Sequence, residues 1–210
     1  MRLWSMPSSG NSYKVRLLLA KLGRAFEHVD AEEGSGVTTS DAFRSLNPRG
    51  KVPLLRLDDG RLLTESNAIL AYLAAGTRFL PDDPFDRART LAWMFWEQNA
   101  HEPVIAVRAG ILAYEKNARR RTPAILDPLL DQGHAVLAVM EEHLSGEADE
   151  AGAAWFTPGG FGIADIALYA YTHSAGPKGG YEMDRFPRIG EWLARCERDA
   201  GHVPLDWLPG

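Results

Sequence analysis

Apolar and polar positions change their period once along this 210-residue chain. Over the first 76 residues, short apolar runs alternate with helical patterning. Arg2 to Met6 reads as a strand; Val15, Leu18, Leu19 and Leu22 then recur at i, i+3, i+4 and i+7, predicting a helix that Gly23 stops. Phe26 to Val29 reads as a second strand. A Gly/Ser/Thr loop from Gly34 to Ser40 leads into a short helical turn, Asp41 to Leu46, closed by Asn47-Pro48-Arg49-Gly50. Strands Pro53 to Leu57 and Arg61 to Leu63 flank Asp58-Asp59-Gly60, a hairpin signal. A helix from Ser66 to Ala75 ends at Gly76, so the predicted order is βαβαββα.

Beyond Asp86 strand signals nearly vanish. The pattern predicts long helices over about 86 to 117, 122 to 145, 163 to 174 and 187 to 199. Between the halves, Phe79-Leu80-Pro81-Asp82-Asp83-Pro84 reads as a linker, because two prolines and two acids suit neither a helix interior nor a strand. The expected organisation is a mixed domain over 1–76, a linker over 77–86 and an all-helical domain over 87–210. The run Arg119-Arg120-Arg121 is read as a solvated helix end or loop rather than a binding patch.

Composition narrows the function classes. A 45% hydrophobic content supports one sizeable core or two small ones. The net charge of −5 and pI near 5.7 lack the basic face that phosphate-backbone binding needs, so no nucleic acid is expected. Residues 1–76 carry a slight positive excess, which suits an anionic ligand. Pro7 arrives before an apolar signal-peptide core can form, and no run of 18 apolar residues occurs; a cytoplasmic protein without a membrane partner is expected. One cysteine, Cys196, excludes an intramolecular disulfide and a CxxC pair, and it reads as a helix residue with no catalytic task. Six histidines without ligand spacing predict no metal.

Three short stretches hold the candidate chemistry. Pro7-Ser8-Ser9-Gly10-Asn11-Ser12-Tyr13 joins the first strand to the first helix, placing hydroxyl and amide donors at a positive helix end that favours an anion. Ser8, Ser9, Asn11, Ser12 and Tyr13 compete for that role, and ordinary capping explains the same residues. In Lys51-Val52-Pro53, a proline without an N–H suits the first residue of an edge strand and leaves the Val52 backbone groups free. In Thr64-Glu65-Ser66 an acid and a hydroxyl open the next helix, either as caps or as a seat for a small carboxylate.

Taken together these stretches resemble the glutathione-binding, thioredoxin-like domain of the cytosolic, bacterial-type glutathione transferases. The helical half continues the resemblance in Trp93-Met94-Phe95-Trp96-Glu97-Gln98, in Phe161-Gly162-Ile163-Ala164-Asp165, and in Phe186-Pro187-Arg188-Ile189-Gly190-Glu191-Trp192. The resemblance implies an α/β thioredoxin-like N-terminal domain, an all-α C-terminal domain and a homodimer. It implies a cis Pro53 that presents Val52 to glutathione, Ser66 on the γ-glutamyl carboxylate, Glu65 on the ligand ammonium and Lys51 on the glycyl carboxylate. Ser9 and Asn11 match the family's Thr/Ser-x-Asn loop, which implies that both donate to the glutathione thiolate. His101 or Arg108 would edge the second-substrate pocket. One departure stands out: the family's helix-capping Ser or Thr, three residues before the buried acid, is here Gly162, which leaves Asp165 to bond the preceding loop amides. The implied activity is conjugation of glutathione to a small hydrophobic electrophile, with glutathione-dependent disulfide reduction and a non-catalytic scaffold as rivals.

Overall fold

Parallel and antiparallel pairing meet in a four-stranded sheet that organises the first half of the protein. The structure, a computed structural model, describes residues 1–146 and 154–209. The sheet comprises β1 (Arg2–Ser5), β2 (Glu27–Asp30), β3 (Leu54–Arg56) and β4 (Leu62–Leu63), in the order β2-β1-β3-β4. β1 pairs parallel with β2, and antiparallel with β3 in the register Trp4↔Leu54; β3 pairs antiparallel with β4 around the predicted Asp58-Asp59-Gly60 turn. A parallel pair needs a crossover, and α1 (Gly10–Lys21) supplies it. After β2 come α2 (Asp41–Leu46) and, beyond β4, α3 (Ser66–Ala74).

Successive strand residues face opposite sides of the sheet. Trp4 and Leu54 pack with Phe43 of α2 in one buried cluster, the two rings meeting edge to face at 6.4 Å. Their neighbours Leu3 and Leu55 are equally buried, as are Leu17, Leu18, Leu19, Ile69 and Leu70 of α1 and α3. Both faces of this small sheet are therefore covered, so its inner strands read as nearly continuous apolar runs.

The chain divides into two compact units, residues 1–77 with 200–210, and residues 78–199. The sequence reading placed 200–210 in the helical domain; these residues pack on the first unit instead. The reason is polar: Tyr13 Oη donates to Val203 O at 2.6 Å and Arg16 Nη2 to Leu205 O at 2.6 Å, while Trp207 meets Phe26 edge to face at 6.2 Å.

The second unit is helical, with α4 (Pro84–Trp96), α5 (Glu102–Ala113), α6 (Pro123–Gly146), α7 (Ile163–Thr172), α8 (Ala175–Gly179) and α9 (Pro187–Arg198). The expected single helix over 86–117 is divided. Pro103 has no N–H to donate, and between α4 and α5 the chain widens into a π turn, Glu97–His101, closed by Glu102 N–H onto Glu97 O. Tyr114 is extended and ends α5, and residues 115–120 form a 3-10 turn. The hydrophobic core centres on α7, buried from Ile163 to Ala170, against Met94, Leu137, Met140 and Trp192. No helix among the described residues is long and apolar enough to cross a membrane.

Candidate functional site

The sheet register brings the three candidate stretches to one edge. β1 ends at Ser5, β3 begins at Leu54, and β4, antiparallel to β3, ends at Leu63. The Ser9 loop, the Val52-Pro53 step and the Glu65-Ser66 step therefore leave the sheet on the same side. Both α1 and α3 start there, and their first-turn amides make that edge electropositive.

Within the first loop the structure separates the competing side chains. Ser9 is the N-cap of α1: its Oγ accepts from Ser12 N–H at 3.3 Å, and among the described residues its own O–H donates to none. Ser8 donates both N–H and Oγ–H to the Glu32 carboxylate, at 2.9 and 2.8 Å. Ser12 is fully buried and its Oγ accepts from Met6 N–H at 3.1 Å. Tyr13 is core, its hydroxyl held by Val203 O. Of the four hydroxyls, only that of Ser9 is half-exposed with a donor to offer.

Ser66 Oγ donates to Asn11 Oδ1 at 3.0 Å, joining two starts of helix that lie 55 positions apart in sequence. Ser66 is buried, with its hydroxyl oxygen able to accept a further bond. Glu65 holds φ +65°, alone among the described non-glycine residues in the left-handed region, a conformation that costs on the order of 1–3 kcal/mol and clusters at ligand sites. Its side chain caps nothing. It pairs instead with Arg49 at 2.6 Å, both groups being largely exposed, so this contact contributes at most about 1 kcal/mol. The simple capping reading of Glu65-Ser66 is thereby corrected.

Val52-Pro53 is a cis peptide bond, and among the described residues neither the N–H nor the C=O of Val52 has a backbone partner. The loop before it is fixed by Asn47, whose Nδ2 donates to Lys51 O at 2.7 Å. Lys51 itself is exposed.

Two expected pocket residues have structural roles. His101 is fully buried with Nε2 at 2.9 Å from Thr172 Oγ1, and Arg108 donates to Gly179 O and Leu126 O, both at 2.7 Å. Burial and these partners hold them within the helical unit. Cys196 is buried in α9. Among the described residues no group of three or more His, Cys, Asp or Glu could hold a metal ion.

Sequence reasoning missed Arg16, a fully buried cation beneath the Ser9 loop. Its spacing falls outside the Val15, Leu18, Leu19, Leu22 stripe, so periodicity assigns it to solvent. Burial pulls the guanidinium down to about 10, against the opposing effects of Tyr13 and of the Glu32, Asp206 and Asp30 charges. It remains protonated at neutral pH. Glu32 was missed as well. Burial works upward on its carboxyl, but the Glu33 and Ser8 amides, the Ser8 hydroxyl and the Arg16 charge outweigh that and hold it below its ordinary value.

The sequence matches two family models: glutathione S-transferase, N-terminal domain, over residues 1–75, and glutathione S-transferase, C-terminal domain, over residues 118–195. It is 33% identical over 178 residues to glutathione S-transferase GstB of Escherichia coli, spanning 82% of this chain and 81% of that one. A crystal structure of glutathione S-transferase from Pseudomonas fluorescens superposes with a TM-score of 0.88 at 41% identity, covering 97% of this chain and 98% of that one. A glutathione transferase from Pseudomonas putida, crystallised with one glutathione disulfide bound per subunit, shares the fold at 24% identity and a TM-score of 0.85, covering 100% and 91%. With both domain models matched and a curated relative covered over four fifths of either chain, this protein belongs to the glutathione S-transferase family.

Proposed function

We propose that the protein binds glutathione at this sheet edge and activates its thiol for attack on a small hydrophobic electrophile. The carrying observation is the meeting of two helix starts, bridged by Asn11 and Ser66, beside a serine whose hydroxyl donor is uncommitted. A thiol near pKa 8.5 is mostly protonated at neutral pH, so the catalyst must favour the thiolate. Ser9 donates to the sulfur and Asn11 supports it from the first turn of α1, where the helix dipole adds positive potential. Val52 offers its backbone pair to the cysteinyl residue as a strand would, and Pro53 shapes that approach. The Ser66 backbone N–H suits the γ-glutamyl carboxylate, as does its hydroxyl once the O–H turns from Asn11 Oδ1; Lys51 suits the glycyl carboxylate; Glu65 suits the ammonium. The thiolate then forms a carbon–sulfur bond as the electrophile releases its leaving group.

Retention on glutathione resin, followed by assays with a chlorinated aromatic and with a small mixed disulfide, tests this reading. Turnover of the aromatic is expected. Turnover of the disulfide alone would move the assignment to glutathione-dependent reduction, with glutathione itself as reductant because the first 76 residues hold no cysteine. Retention without either turnover would leave a binding scaffold.

Ser66→Ala is expected to raise the glutathione KM about tenfold while leaving the pH profile in place, because a contact remote from sulfur serves ground and transition states alike. An equal loss at saturating glutathione would contradict that role.

The homodimer is proposed on the outer face of α4. Phe85, Ala88, Ala92 and Phe95 are all exposed and recur along one stripe, Phe85 at 72% and Phe95 at 69% exposure. An apolar stripe of this kind marks a covered surface. Phe95→Asp is expected to halve the sedimenting mass; an unchanged mass would place the dimer elsewhere.

A further inference from the structure

We propose that Arg16, clamped by the C-terminal tail, is a positioning residue for the thiolate site, an inference that rests on the Ser9 assignment above. Helical side chains lean toward the start of their own helix. Arg16 is accordingly directed from the second turn of α1 toward the loop that carries Ser9. Its Nη1 donates to Ser5 Oγ at 3.0 Å and to Met6 O at 3.1 Å, and its Nη2 to Pro7 O at 2.9 Å and to Leu205 O at 2.6 Å.

Met6 O is the pivot. The same carbonyl accepts Ser9 N–H at 3.1 Å, so the guanidinium holds the acceptor that sets the Ser9 backbone. Met6 N–H, in turn, donates to Ser12 Oγ. On the other side of the loop, Glu32 grips both donors of Ser8. The polar chain extends outward to His28, whose Nε2 lies 2.8 Å from Ser5 Oγ. A donor that stabilises an anion must already sit in place when charge develops, and these contacts fix the loop before any ligand arrives.

The arrangement also puts a permanent positive charge under the thiolate loop. The groups facing it are Glu32 and Asp30 from β2 and the segment after it, Asp206 from the tail, and Tyr13 from α1. The tail is the unexpected partner: Leu205 O closes one side of the guanidinium, and Val203 O holds the Tyr13 hydroxyl three residues earlier on α1. The last residues thus act on the nucleophile through Arg16 rather than by touching it.

The test uses the full-length protein with glutathione as probe, comparing wild type, Ser9→Ala, Arg16→Met, Arg16→Lys and a form lacking residues 203–210. Bound thiolate is titrated by ultraviolet absorbance, kcat and KM are followed against pH, and thermal midpoints report folding. Arg16→Met and the truncated form are expected to raise the pKa of bound glutathione by about half a pH unit or more, with the glutathione KM changed less than about threefold. Arg16→Lys is expected to lie between, because an ammonium keeps the charge but cannot span four acceptors. Should Arg16→Met fail to fold, Arg16→Lys and the truncation decide. If folded variants lose only thermal stability while Ser9→Ala moves the pKa, Arg16 is a packing residue and the inference falls. If Ser9→Ala leaves the pKa in place, the donor assignment fails first, and the Arg16 inference falls with it.

Discussion

Replacing Ser9 with alanine is expected to raise the pKa of enzyme-bound glutathione by about one to two pH units and to move the activity profile upward by the same amount. Losing one donor to an anion in a partly desolvated site typically costs about 2–4 kcal/mol, and one pKa unit corresponds to about 1.4 kcal/mol. The lower end applies because Asn11 and the α1 amides remain. Ser9 also caps α1 through Ser12 N–H, so alanine removes about 1 kcal/mol of stability at the same time. The two effects separate in a substitution series. Threonine keeps both cap and donor; aspartate keeps the cap but has no donor and adds a negative charge. Thiol pKa should therefore rise in the order Thr, Ala, Asp, whereas thermal stability should be lowest for Ala. If pKa and stability follow the same order, Ser9 is a cap alone, and titration of the bound thiolate by ultraviolet absorbance decides between them.

Much of the candidate site was legible because its geometry is written in local signals. Asp58-Asp59-Gly60 fixes the β3–β4 hairpin, the crossover α1 makes β1 and β2 parallel, and the register of β3 then forces Ser9, Pro53 and Ser66 to one edge. Which hydroxyl is available was not legible. Ser8, Ser9 and Ser12 are identical in chemistry and differ only through folded surroundings: Glu32, 24 positions away, for Ser8, and for Ser12 full burial against the Met6 amide. Arg16 escaped for a related reason. A cation off the apolar stripe reads as solvated, and periodicity shows neither the acceptors that Ser5, Met6 and Pro7 turn toward it nor Leu205 O, which reaches it from 189 positions away.

The helical half shows the same division. The bounds of α6 and α9 were legible to within a residue or two, because amphipathic helices of many turns carry redundant signal, whereas the segment expected over 86–117 is divided. The π turn at Glu97–His101 was not legible. A single bond shifted from i+4 to i+5 leaves the apolar stripe nearly intact, so composition gives no mark of it beyond Pro103. Gly162 was visible as a departure from the family pattern, but what compensates for it lies in a loop. Thr157 Oγ1 accepts Ala164 N–H at 3.1 Å, and Phe79 O accepts Ile163 N–H at 2.9 Å, so two borrowed acceptors replace the missing hydroxyl.

The start of α7 accordingly rests on Asp165, and Asp165→Asn is expected to cost the helical unit about 3–5 kcal/mol. The carboxylate is fully buried and accepts four N–H donors: Phe156 N and Trp192 Nε1 on Oδ1, at 2.9 and 3.0 Å, and Thr157 N and Gly162 N on Oδ2, both at 3.1 Å. Burial pushes this carboxyl above its ordinary value while the donors pull it down. An asparagine keeps one oxygen and turns an NH2 toward the other pair of donors, stranding two buried N–H groups at about 1–3 kcal/mol each. For a chain of this size that lowers the thermal midpoint by about 8–15 °C. Restoring a cap does not help, because Gly162→Ser would set its Cβ 2.5 Å from Thr157 Cγ2 and 2.6 Å from Phe79 O. The threonine methyl can be removed, but Phe79 O is backbone and accepts from α7 itself. Gly162→Ser should therefore destabilise alone by about 1–3 kcal/mol and stay destabilising in combination with Thr157→Ala. Both Asp165→Asn and Gly162→Ser lie outside the first unit, so the pKa of bound glutathione should stay at its wild-type value while the folded fraction lasts. Thermal melts paired with thiolate titration separate the outcomes: a shifted thiol pKa in Asp165→Asn, or an unshifted melt, would overturn the purely structural role of this carboxylate.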